Sequence, residues 1–190
     1  MKFKEKILKI VEIISQKSEL KHQILENTKV LLDDYEKNKD DENDEATYWE
    51  YIVSSCLTGE NISEIYEDLD EIPYNDFDED AYLKAPLFTF DWKEYAEEYI
   101  GGLETLIDAQ KLNITLKDIE YDNDNDDIEN VSRRIHNKLK PLGYILTSID
   151  IGSDEYEICI LKEEDFNTIK NMIEEDEILS DVIILQVFGD

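Results

Sequence analysis

Three acids surround a Gly-Ser pair in the stretch GYILTSIDIGSDEYEICIL, Gly143 to Leu161. Carboxylates at Asp150, Asp154 and Glu155 could hold a divalent cation through oxygen ligands or move protons as general acids and bases. Asp150 and Asp154 are the better metal candidates. The flanking residues favour a plainer role. Runs 144–149 and 156–161 are apolar on both faces near their middles, as in strands inside a sheet. Gly152 supplies the positive φ that a tight turn takes, and Ser153 and Asp154 can bond back to its amides. The stretch reads as a hairpin first and a site second.

A second acidic loop, DNDNDD over 122–127, alternates Asp122, Asp124 and Asp126 as the first ligands of a calcium loop would. The sixth position, which wants Gly for a sharp turn, is Asp127, and the twelfth, which wants a bidentate Glu, is Arg133. Without those two the loop reads as a solvated linker whose acids favour the N-terminus of the next helix. His22 and His136 each fall on an amphipathic helix, with no Ser or Cys in a nucleophile motif. No Gly-rich phosphate loop follows a strand, and Arg133, Arg134, Lys138 and Lys140 read as counter-charge within an acidic protein. Cys56 and Cys159 are too few for a disulfide framework and too far apart for a metal knuckle; they read as buried free thiols. The expectation is a protein without catalytic motif or cofactor.

Charge is the dominant signal. The formal net charge is −30 over 190 residues, yet 41% of residues are hydrophobic and 10% aromatic, so the chain has the material for a core. Such a surface repels nucleic acid and anionic membranes and attracts basic proteins over long range. Residues 1–40 carry nine Lys against eight acids, whereas 41–83 carry fifteen acids and no base. Seven aromatics lie among those fifteen acids: Tyr48, Trp49, Tyr51, Tyr66, Tyr74, Phe77 and Tyr82. Acids solvate a surface but aromatic rings need burial or a partner. Tyr48, Trp49, Tyr51, Tyr66 and Tyr74 with Asp68, Asp70, Glu71, Asp76 and Asp78 are therefore the candidate face for a basic protein partner.

The elements that must position these residues follow from periodicity. Phe3, Ile7, Ile10, Val11 and Ile14 form one helical face, and Leu20, Ile24, Leu31 and Tyr35 another. Charges interrupt the first run, so it is an amphipathic helix and not a signal peptide, and a cytoplasmic location is expected. Tyr48, Ile52 and Cys56 recur every four residues before a helix stop at Gly59. A short helix over Ser63–Ile72 is cut by Pro73. Leu87–Phe90 reads as a strand, after which Asp91 caps a helix with Glu94 and the stripe Trp92, Tyr95, Tyr99, Leu103, Leu106. Gly101-Gly102 inside that helix reads as a close packing contact. Ile128, Val131, Ile135 and Leu139 mark another helix before the hairpin, and a helix over 163–175 follows it. The apolar run 182–188 reads as a central strand covered on both faces. The expected architecture is α+β: a helical, acidic-aromatic region over 1–85, then an α+β region over 86–190, packed as one unit, with helices on one face of a small, mostly antiparallel sheet.

Gly143, Leu146, Ile149, Asp150, Gly152, Ser153, Asp154 and Tyr156, with Asp91-Trp92-Lys93 at an earlier helix start, resemble an uncharacterised bacterial domain family of unknown function. The resemblance covers 86–190 and implies a structural hairpin; residues 1–60 read as an addition outside it. In general character the chain is similar to acidic bacterial immunity proteins, which implies an inhibitor of a basic, nuclease-type partner. The functional expectation is thus a non-enzymatic acidic protein-binding module, immunity- or antitoxin-like. The alternatives are a DNA mimic, which the near-neutral first 40 residues oppose, and a divalent-metal-binding protein or enzyme.

Overall fold

The computed structural model describes residues 2–38, 45–61, 75–91, 95–123, 127–152 and 155–189. Seven α-helices and four strands are formed among them, an α+β architecture. Helices α1 (Phe3–Ile14), α2 (Lys21–Asn38) and α3 (Glu45–Tyr51) come first. The chain continues from α3 as a π-helix over Ile52–Leu57. A four-residue spacing outruns a 3.6-residue α-helical turn by about 40° per step. The wider i→i+5 turn keeps Tyr48, Ile52 and Cys56 on the buried side. Gly59, at φ +78°, ends this segment where the Ala81 backbone approaches too closely for a side chain.

Next come β1 (Phe88–Asp91), α4 (Ala96–Ala109), α5 (Ile128–Leu139), β2 (Tyr144–Asp150), β3 (Glu155–Lys162), α6 (Glu163–Glu174), α7 (Glu177–Val182) and β4 (Ile184–Val187). The sheet is antiparallel throughout, in the order β1-β3-β2-β4. Register Ile145↔Leu161, Thr147↔Cys159 and Ile149↔Glu157 puts those side chains on one face; Leu146↔Ile160 and Ser148↔Ile158 put theirs on the other.

Each face has its own core. Ile145, Ile149, Cys159 and Leu161 join Ile7, Ile10, Leu31, Trp49 and Ile52 from the N-terminal helices, with Phe166 and Ile169 of α6. Leu146, Ile158 and Ile160 join Tyr99, Leu103, Val131 and Ile135 of α4 and α5. Helices therefore cover both faces, where the hydrophobic pattern alone suggested one. The reason is that β2 and β3 are apolar on both sides, and each side must be dried by something. Lys6 of α1 also pairs with Asp176, which caps α7 by accepting from the Ile178 and Leu179 amides (3.0 Å each).

Three local expectations are corrected. The run 182–188 is not a central strand: its first residue, Val182, ends α7, and β4 is an edge with alternating exposure. Asp91 ends β1 instead of capping a helix; α4 starts at Ala96 with Tyr95 at its N-cap and Glu98 closing the box. Tyr95 is accordingly exposed and outside the buried stripe. The helix expected over Ser63–Ile72 and the ring of Trp92 lie outside the described residues.

The paired glycines of α4 are not equivalent. A Cβ at Gly102 would overlap the Phe88 ring, whereas one at Gly101 meets no heavy atom within 4 Å. We expect Gly101→Ala to raise stability by up to about 1 kcal/mol through helix propensity. Gly102→Ala should lower it by about 1–3 kcal/mol, the usual cost of overpacking, partly offset by the same propensity gain. Thermal midpoints of the two variants should move in opposite directions; a shared direction would refute the packing assignment.

Candidate functional site

The run Asp76–Asp80 is held in place by amide side chains of α2. Asn27 Nδ2 donates to the Asn75 carbonyl (2.9 Å) and Asn27 Oδ1 accepts from the Asn75 amide (3.2 Å). Gln23 Nε2 donates to the Asp76 carbonyl (2.8 Å). Phe77 is buried and turns inward, and its amide donates to Asn61 Oδ1 (2.6 Å), so the flanking Asp76, Asp78, Glu79 and Asp80 stay exposed. The Ala81 and Leu83 amides donate to the Asp78 and Asp80 carbonyls (2.8 and 3.2 Å), tightening the chain into a 3₁₀ turn over Ala81–Lys84.

That turn leaves Tyr82 57% and Leu83 41% exposed, beside four acids. Behind them a groove of about 240 Å³ opens, walled by Leu87 and Phe88 at the β1 edge and by Leu106 and Ala109 of α4. Gly102 leaves room for the Phe88 ring that forms its floor. The result is an apolar slot whose Tyr82 and Leu83 directly follow a run of exposed acids in the chain, a combination that suits a protein interface with anchor residues near a charged segment.

The other residues singled out from sequence fare differently. Tyr48, Trp49 and Tyr51 are core residues and not exposed anchors. Phe3, Tyr35, Tyr48 and Tyr51 form a chain of tilted and edge-on ring contacts with centroids 5.6, 5.4 and 5.7 Å apart. The Tyr48 hydroxyl donates to Asp34 Oδ2 (2.6 Å), and burial, followed by that carboxylate, raises its pKa. Rings of this size gain more from joining α1–α3 than from facing water. Asp76 and Asp78 are exposed, while Tyr66, Asp68, Asp70, Glu71 and Tyr74 lie outside the described residues.

The hairpin turn matches its structural reading. Gly152 has φ +78°, and its amide donates to Asp150 Oδ1 (2.8 Å), a local turn bond that engages a candidate metal ligand within the turn. Gln186 Nε2 donates to Asp150 Oδ2 at 3.4 Å. Asp154 lies outside the described residues, and among those described no three His, Cys, Asp or Glu side chains are grouped to hold a metal. In the second acidic loop Asp127 is the N-cap of α5, accepting from the Asn130 amide (2.7 Å). Arg134 donates to the Glu120 carbonyl (2.7 Å) and Lys138 pairs with Asp118, so much of the basic patch is engaged within the chain. His22 is exposed and His136 is buried in α5.

One ionisable residue escaped the sequence reading. Glu157 is 2% exposed, in the middle of β3, where the Thr89 hydroxyl donates to its Oε2 (2.8 Å). Desolvation pushes its carboxyl up to about 7; Glu155 and Glu60 act in the same direction and the Thr89 bond opposes them. The available signal was register: Glu157 alternates in phase with Cys159 and Leu161, so a buried strand had to bury it too.

Residues 6–178 match the family described as Domain of unknown function (DUF6630). The chain belongs to the DUF6630 family. The match starts inside α1, so the N-terminal helices are part of the family domain and not an addition outside it. This agrees with the shared core, in which Ile7, Ile10 and Trp49 pack with residues of β2 and β3. Neither the curated proteins nor the solved structures give a match. Among the described residues of this DUF6630 member, no helix is long and apolar enough to cross a membrane.

Proposed function

We propose that this protein is a non-enzymatic acidic binding module that captures a basic protein partner, with an immunity-like inhibitor of a basic nuclease as its most concrete form. The observation that carries the reading is the groove of Tyr82, Leu83 and Phe88 beside the exposed acids Asp76, Asp78, Glu79 and Asp80. A net charge of −30 steers a cationic partner into encounter, and the apolar slot then retains one of its side chains. Cys56 and Cys159, buried and not joined in a disulfide, suit a reducing, cytoplasmic setting.

The test is capture of partners on immobilised wild type and on the double variant Tyr82→Ser, Leu83→Ser. Both positions are exposed, so stability should change by less than about 0.5 kcal/mol each. A basic protein should elute from the wild type as salt rises, and its affinity for the double variant should fall by roughly 10- to 30-fold. Undiminished affinity would remove the groove from the function. Displacement of duplex DNA from several unrelated binders would instead identify a DNA mimic.

A further inference from the structure

The two edges of the sheet are finished differently. Just before β1 the Leu87 amide donates to the Leu57 carbonyl (3.2 Å), so the end of the π-helix meets the start of that edge. At β4 the Phe188 amide donates to the Leu146 carbonyl (3.5 Å). Antiparallel pairing alternates inward and outward backbone groups. Ile184 and Gln186 share the phase of Phe188 and face β2, so Leu185 and Val187 turn their N–H and C=O groups outward. Exposed edges are ordinarily blunted by Lys, Pro or a bulge, and Ile184–Val187 carries neither Lys nor Pro. Ile184 is 51% exposed.

Both sides of that edge are hollow. Toward α6 a groove of about 270 Å³ runs beside Phe166, Ile173, Leu185 and Val187. Toward α5 a pocket of about 220 Å³ is lined by Glu129, Arg133, Tyr156 and Gln186. An added strand places alternate side chains on opposite faces, so one set would enter the apolar groove and the other the polar pocket.

We propose that β4 accepts an extended, basic segment of a partner protein as a fifth strand of the sheet. Charge decides the occupant. Glu174, Glu175, Glu177 and Asp181 are exposed on α6, α7 and the turn between them, and Glu174 lines the apolar groove 3.8 Å from Lys170. The polar pocket is lined by one acid, Glu129, and one base, Arg133, which donates to Asn130 Oδ1 (2.8 Å), so its lining carries no net charge. A second copy of this chain would bring two molecules of charge −30 together, which opposes self-pairing. The proposal shares with the groove reading only the basic character of the partner, and it uses the opposite edge of the sheet.

The probe is a labelled peptide of alternating Lys and Val, roughly eight residues long, titrated against the full chain by fluorescence anisotropy at about 150 mM salt. Its fully N-methylated counterpart keeps the charge and the side chains but cannot donate to a ladder. The unmethylated peptide should bind about tenfold more tightly, the worth of two or so backbone hydrogen bonds. Val187→Pro, which breaks no bond to β2 but replaces an outward donor with a ring in the path of the added strand, should block ladder pairing and so erase that margin. Tyr82→Ser with Leu83→Ser should leave it intact, so failure of the groove and failure of the edge are told apart. Equal affinity for the two peptides, no binding of either, or a margin that survives Val187→Pro overturns the proposal. If Val187→Pro does not fold, the comparison of the two peptides on the wild type decides alone.

Discussion

Trp49→Ala should lower the unfolding free energy by about 3–5 kcal/mol, the range for deleting a large core side chain. Trp49 is 2% exposed and lies in the core that joins α1, α2, α3, α6 and one face of the sheet. Its loss would leave a void between the helical region and the sheet, so both should unfold together in one urea transition at a lower midpoint. A second variant sharpens the expectation. The Trp49 indole N–H has no acceptor among the described residues, which already costs the fold about 1–3 kcal/mol. Trp49→Phe removes that donor along with some volume, so it should cost much less than Trp49→Ala, under about 1.5 kcal/mol. An unchanged midpoint in the alanine variant would return Trp49 to the surface and reopen its role as a partner anchor.

Glu157→Gln should make the protein progressively more stable than wild type as pH rises. In the unfolded chain Glu157 ionises near 4.5, whereas in the fold burial holds its proton up to about 7. The folded state therefore binds the proton more tightly, and its stability is greatest below the unfolded value. It declines as pH climbs through the interval and levels off above about 7. At about 1.4 kcal/mol per pH unit the full penalty is roughly 3 kcal/mol. A glutamine keeps an oxygen for the Thr89 hydroxyl and has no charge to desolvate. The sequence pI near 4.2 makes the acid end unsuitable for solution work, so the window is pH 5.5 to 8.5. Across it the stability difference between Glu157→Gln and wild type should grow by about 2 kcal/mol. Repulsion within a surface of charge −30 also rises with pH, but it affects both proteins alike and cancels in the difference. A difference that stays flat with pH would mean that Glu157 is solvated or is matched by a cation.

Much of the fold was legible because it is written in local pattern. Apolar residues at helical spacing marked α1, α2 and α5, and the alternating apolar runs around Gly152 marked β2, the turn and β3. The turn's chemistry was also readable, since a glycine at positive φ beside an Asp is a complete local instruction. The Asp150 carboxylate accepts from the Gly152 amide, while Ser153 and Asp154 lie outside the described residues. The candidate site was half legible. The concentration of acids and aromatics in residues 41–83 is a matter of composition, and of its candidate acids Asp76 and Asp78 stand exposed. Which rings would be anchors was not. Tyr48, Trp49 and Tyr51 went to the core and Tyr82 stayed at the surface, though all four sit among similar acids.

The reason lies in what each level of information contains. Net charge, its concentration between residues 41 and 83, the amphipathic helices and the hairpin are properties of composition and short-range spacing, so the sequence by itself determined them. Burial is a relation between segments far apart in the chain. Trp49 is covered because α1, α2 and the sheet converge on it, and Glu157 is desolvated because β3 lies between β1 and β2. Gly102 is required because Phe88, from another element, fills the space of its missing side chain. β4 is an edge because β2 has β3 on its other side and no further strand follows among the described residues. Those four outcomes were decided by tertiary packing alone, which selects among faces that local pattern leaves equivalent.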